Sequence, residues 1–124
     1  MNVEVIAVST DKHFSHWMWK KTSPTIKEVE YPMAADPSGA VSRAYGVYLE
    51  ESGTAVRGRF IIDPRGIVKA VEMMTPPVGR NVNELIRQIK AFQAVEENPG
   101  KAAPAGWQPG DDLINTGKDY IGKY

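Results

Sequence analysis

The stretch Arg57-Gly58-Arg59-Phe60-Ile61-Ile62-Asp63-Pro64-Arg65-Gly66-Ile67-Val68 constrains the fold more than any other part of the sequence. Phe60, Ile61 and Ile62 form an apolar run rich in β-branched residues, which suits a buried strand. Asp63-Pro64-Arg65-Gly66 fits a type I turn: Asp accepts a backbone hydrogen bond, Pro presets φ, and Gly is favoured at the fourth position. Ile67 to Met74 then reads as the returning strand. Arg57 stands just ahead of the buried run, where a guanidinium can reach the rim of a pocket.

The rest of the chain alternates around this hairpin. Val3 to Val8 is apolar except for Glu4, the pattern of a strand covered on both faces. Ser9, Thr10 and Asp11 offer N-caps, and Phe14, Trp17 and Met18 follow at helical spacing, so a helix is expected over about Asp11 to Lys21, closed by Thr22-Ser23-Pro24. Tyr31 to Ala35 is a short strand whose proline places it at a sheet edge. Asp36-Pro37-Ser38-Gly39 opens a short helix with Val41, Ala44 and Tyr45 inward and Gly46 as its stop. Asn81 is an N-cap with Glu84 three residues on. Val82, Leu85, Ile86, Ile89, Phe92 and Val95 then make one apolar face of a helix over Val82 to Glu96. Asn98-Pro99-Gly100 stops it. From there the sequence is rich in Pro, Gly and Lys, with Trp107 as its one large anchor, and reads as an extended arm that another surface orders. The expected division is therefore 1–98 for the α/β body and 99–124 for the arm. The order of strands and helices predicts an α/β layout of thioredoxin-like type.

At 124 residues the chain is one domain at most, and its formal net charge of zero gives no electrostatic case for nucleic acid or an anionic membrane as a partner. No run of apolar residues is long enough for a membrane span. The N-terminal residues read as a strand and not as a secretion signal, so the expected location is cytoplasmic. The sequence has no cysteine. Disulfides, thiolate metal sites and thiol catalysis therefore cannot come from its own residues.

Four blocks resemble the peroxiredoxins, specifically the large 2-Cys and 1-Cys members of the AhpC/TSA group. They are Val5-Ile6-Ala7-Val8-Ser9-Thr10-Asp11 with His16-Trp17-Met18-Trp19, then Arg57-Gly58-Arg59-Phe60-Ile61-Ile62-Asp63, then Pro77-Val78-Gly79-Arg80-Asn81-Val82-Asn83-Glu84-Leu85, and last Pro104-Ala105-Gly106-Trp107-Gln108-Pro109-Gly110. Their order and spacing match along nearly the whole chain. The resemblance implies a thioredoxin-like fold, here its C-terminal part with an incomplete central sheet. It implies a thiol-dependent peroxidase lineage acting on hydrogen peroxide and alkyl hydroperoxides, and a homodimer or ring of dimers. It also implies a thiol reductant as partner and an N-terminal part that carries the peroxidatic cysteine. Arg57 matches the arginine that lowers the thiol pKa and polarises the peroxide, and Arg80 matches a supporting one.

Two departures stand beside the matches. Ala103 occupies the place of the resolving cysteine. Arg59 stands where the family carries an apolar residue or Thr. What the sequence retains is the electrostatic half of an active site without its nucleophile.

Plainer readings compete. Arg57 and Arg80 could be ordinary surface arginines. His13 and His16 lie three apart on one helical face but lack a third ligand, so no metal is expected. Trp17, Trp19 and Trp107 read as packing residues. The three glycines between Gly100 and Gly110 lack the order of a phosphate loop, and no cofactor is expected. The alternative to the enzymatic lineage is a non-catalytic thioredoxin-like module kept for interaction or dimerisation.

Overall fold

The computed structural model describes residues 1–124, which form two compact units: Asn2–Arg80, and Asn81–Tyr124 together with Met1. The helix before residue 98 groups with the residues that follow it in the second unit.

In the first unit, β1 (Ala7–Ser9) pairs in parallel with β2 (Met33–Ala35), Ala7 opposite Met33 and Ser9 opposite Ala35. Between them runs α1 (His13–Thr22). It begins two residues later than expected, and no side chain caps its start at Lys12. Lys20 and Lys21 in the last turn favour its negative end. The strand expected over Val3 to Val8 is corrected: only its last residues join a ladder, and Val3, Val5, Ile6 and Val8 are 42–59% exposed. The cause is pairing. β1 has a neighbour on one edge alone, and residues 3–6 lie outside any strand.

Asp36 ends β2's extension and starts α2 (Ala40–Ala44). Its carboxylate accepts from the Val41 N–H at 3.1 Å and from the Ser42 N–H and hydroxyl, each at 2.8 Å. These bonds hold the buried Asp36 carboxyl below its ordinary pKa, the Ser42 backbone bond foremost. Gly46 closes the helix in the left-handed conformation, with its N–H on the Arg43 carbonyl. The inward face differs from expectation. Ser42 is buried, while Val41, Ala44 and Tyr45 are exposed, because the Asp36 cap draws Ser42 inward. A second small hairpin follows, β3 (Tyr48–Leu49) against β4 (Thr54–Ala55).

The central hairpin is as the sequence dictates. β5 (Arg57–Ile62) and β6 (Val68–Met74) pair antiparallel, with a register shift between Ile61 and Ile62. Gly66 donates its N–H to the Asp63 carbonyl at 2.9 Å. The Asp63 carboxylate accepts from the Arg65 and Ile67 N–H groups, both at 2.9 Å. Ile67 belongs to this turn, which is why β6 starts one residue later than expected. Phe60 meets the edge of the Tyr45 ring. β5, like β1, has a partner on one side only, so the unit holds separate two-stranded ladders in place of a continuous sheet.

In the second unit, α3 (Val82–Glu97) matches its expected span to within a residue, and the Asn81 side chain accepts the Glu84 N–H at 3.1 Å. Its apolar face is not sealed: Val82 is 62% exposed and no residue of the helix is fully buried. The arm has more structure than its composition suggests. β7 (Lys101–Ala102) pairs with β8 (Ile114–Asn115), and Trp107 is buried. The indole N–H donates to the Asp111 carbonyl at 3.0 Å, and Arg87 on α3 donates to the Trp107 carbonyl at 2.9 Å. Gln93 reaches the Met1 carbonyl at 2.7 Å.

Candidate active site

Arg57 opens β5, where its side chain is exposed. Strand alternation puts Arg57, Arg59 and Ile61 on one face and Gly58, Phe60 and Ile62 on the other. Gly58 allows β5 to pass Val47: a Cβ there would come within 2.8 Å of the Val47 side chain. Arg80 is brought to the same strand end from 22 residues away, its guanidinium donating to the Gly58 carbonyl at 2.6 Å. Arg57 and Arg80 are thereby gathered around the first residues of β5.

Arg59 differs from both. Its guanidinium faces Glu72, the residue directly opposite on β6, at 2.8 Å. With 10% of its side chain exposed, it is a half-hidden cross-strand pair in which the charge is compensated. No carboxylate pairs with Arg57. An exposed guanidinium without a carboxylate partner, at the start of a strand whose next carbonyl accepts from a second arginine, can bind and polarise a small oxygen-rich substrate or stabilise a nearby thiolate.

The other candidates lie elsewhere. Ala103 belongs to the second unit, where it lines an apolar groove with Phe92, Val95 and Pro104. The two histidines do not converge. His13 lies against Phe14, with ring centroids 4.1 Å apart, whereas His16 is buried with Nε2 on the Ser9 hydroxyl. Ser9 also donates its hydroxyl to Asp11 at 2.8 Å. This polar anchor turns α1 over: His16 faces inward, and Phe14, Trp17 and Trp19 are 51–67% exposed. Trp17 and Trp19 are therefore not packing residues within this chain, whereas Trp107 is.

Residues 1–71 match the AhpC/TSA family. The chain belongs to that family. Residues 91–124 match the C-terminal domain of 1-Cys peroxiredoxin. Among curated relatives, alkyl hydroperoxide reductase C of Amphibacillus xylanus is 45% identical over 123 residues, covering 99% of this chain and 65% of the relative. The Escherichia coli protein of the same name is 41% identical over the same length, 66% of its own chain. The chain thus spans about two thirds of the relatives it matches. Among solved structures, reduced 2-Cys peroxiredoxin of Plasmodium vivax superposes with a TM-score of 0.88 at 30% identity, over 95% of this chain and 62% of that one. Enterococcus faecalis AhpC gives 0.79 at 43% identity, over 83% and 62%. This peroxiredoxin-family chain therefore has the thioredoxin-like α/β fold expected of it. No helix in it is long and apolar enough to cross a membrane.

Proposed function

We propose that this chain is the C-terminal, cysteine-free part of a thiol peroxidase that reduces hydrogen peroxide and alkyl hydroperoxides. It supplies the electrostatic half of the site, and a cysteine-bearing N-terminal part of the same fold supplies the nucleophile. The thiolate attacks one peroxide oxygen, the O–O bond breaks, and the cysteine becomes a sulfenic acid while water or an alcohol leaves. Arg57 stabilises the thiolate and polarises the O–O bond, and Arg80 supports the strand end that presents it. A thiol reductant closes the cycle. The observation that carries this reading is the Arg80 bond to the Gly58 carbonyl at 2.6 Å, which brings both motif arginines to one strand end.

The single-sided pairing of β1 and β5 supports completion of the sheet by that N-terminal part. The outward aromatics of α1 favour a homodimer or a ring of dimers, since exposed aromatic clusters of this kind mark interaction surfaces. The body 1–98 and the arm 99–124 would then act together, in the cytoplasm.

The same exposed aromatics, taken with the absence of cysteine, favour the second reading, a non-catalytic interaction module. Reconstitution separates the two. The purified chain should not turn over peroxide, and should do so with a thiol reductant once the cysteine-bearing part is added in trans. A folded, cysteine-containing mixture with no peroxidase activity would leave only the module.

A further inference from the structure

We propose that Met74 is a second oxidisable site for peroxide, a thioether activated by Arg57, through which this cysteine-free chain takes up one equivalent of hydroperoxide as a methionine sulfoxide. This rests on Arg57 acting as the peroxide-polarising group. The register places Met74 directly opposite Arg57 at the open end of the hairpin. Cross-strand partners share a face, with Cβ atoms about 4.5–5.5 Å apart. The flexible thioether and the guanidinium can therefore hold one small molecule between them. Met74 and Met73 also border a groove of about 160 Å³ with Val47, Val56 and Thr75. A water occupies about 30 Å³ of liquid, so hydrogen peroxide can reach the thioether through this groove, which Arg57 does not itself line.

The step balances without a further reactant. The sulfur lone pair attacks one peroxide oxygen, an S–O bond forms and the O–O bond breaks. Sulfur is oxidised by two electrons and the peroxide is reduced. The departing oxygen leaves as hydroxide or alkoxide, facing the guanidinium, and takes the proton of the hydroxysulfonium to become water or alcohol. The product is the sulfoxide, which methionine sulfoxide reductase returns to the thioether. Arg57 contributes as a donor to the oxygen on which charge develops.

The chain provides its own controls among its five methionines. Met1, Met18 and Met73 are 48–57% exposed, more than the half-buried Met74. Met33 is half-buried too, but Ala7 lies opposite it. Met73 is the sequence neighbour of Met74 yet points to the other face, opposite Gly58. Accessibility alone puts Met1, Met18 and Met73 first, whereas activation by Arg57 puts Met74 first.

The test treats the intact chain with hydrogen peroxide at neutral pH and follows oxidation of each methionine by peptide mass spectrometry. Met74 should oxidise about tenfold faster than Met33, a difference in barrier of about 1.4 kcal/mol, and ahead of the three exposed methionines. Arg57→Gln should bring Met74 down to the rate of Met33 and leave the other four unchanged. Urea should abolish the preference. Met74→Leu should remove one equivalent from the fast phase of peroxide consumption. Rates that follow exposure, or a Met74 rate indifferent to Arg57→Gln, overturn the proposal. If Met74 shows no preference while the reconstituted thiol peroxidase still depends on Arg57, the methionine site alone fails. If neither reaction depends on Arg57, the reading of Arg57 fails beneath both.

Discussion

Replacing Trp107 with Ala should unfold the second unit while sparing the first. Trp107 is 5% exposed and is the one buried large side chain of its unit. A buried tryptophan removes about 150–250 Å² from water. At about 25 cal/mol per Å² that is about 4–6 kcal/mol. Compact denatured chains already bury part of this area, which lowers the figure to about 3–5 kcal/mol, the usual cost of a Trp→Ala change in a core. The substitution also removes the indole bond to the Asp111 carbonyl, and it loosens the segment whose main-chain carbonyl accepts from Arg87. Amide exchange is the direct assay, since a loss of about 3 kcal/mol raises local opening more than about a hundredfold. The rise should cover β7, β8 and the turns of α3 around Arg87, and leave β6 near its original protection. Trp17→Ala, at a residue 58% exposed, should change protection within α1 by less than about threefold, as surface changes do. A change of less than about threefold across β7 and α3 in Trp107→Ala would refute the view that this side chain organises the arm.

Other expectations follow from the turn and from the open edges. The Asp63 carboxyl is held below its ordinary pKa, first by the Ile67 N–H and then by the Arg65 side chain and N–H. A depressed carboxyl contributes stability above its unfolded pKa and loses it as pH falls through the lower folded value. Protection of the turn amides of Arg65 and Ile67, which the carboxylate holds, should therefore be steady at neutral pH and decline below about pH 4, and Asp63→Asn should remove that acid-dependent component. Residues 3–8 and 60–62 should exchange rapidly in the isolated chain, and slow once the cysteine-bearing part is added. High protection of both stretches in a monomeric solution of this chain would show that its edges close without help.

The parts legible from sequence are those decided by neighbours. Asp63-Pro64-Arg65-Gly66 specifies its turn through local bonds, and α3 announces itself by an N-cap and a sustained 3.6-residue period. Properties set by distant contacts were not readable. The period of α1 indicates a helix but not which face is covered, and a bond to Ser9 put His16 inside in place of the aromatics. Val3 to Ile6 has the composition of a buried strand, yet pairing and cover are not properties of a segment. β3 and β4 have two residues each, too few for a period to register. The site was legible only in part. Motif resemblance singled out Arg57 and Arg80, but the bond from Arg80 to the Gly58 carbonyl spans 22 residues and is a product of folding. The compensation of Arg59 by Glu72 was not readable either: counting outward from the Asp63–Gly66 turn sets Arg59 opposite Ala70, and the register irregularity near the turn is what brings Glu72 there.

The claim that Arg57 is the electrostatic centre of a peroxide site is tested most directly by stopped-flow kinetics on the chain reconstituted with its cysteine-bearing part. Arg57→Lys keeps the charge but loses the planar fork of donors. The second-order rate constant for peroxide should fall by at least about tenfold, equivalent to about 1.4 kcal/mol in the barrier, with the thiol pKa raised and the fold intact by amide exchange. An unaltered rate constant in a folded Arg57→Lys variant would contradict the account.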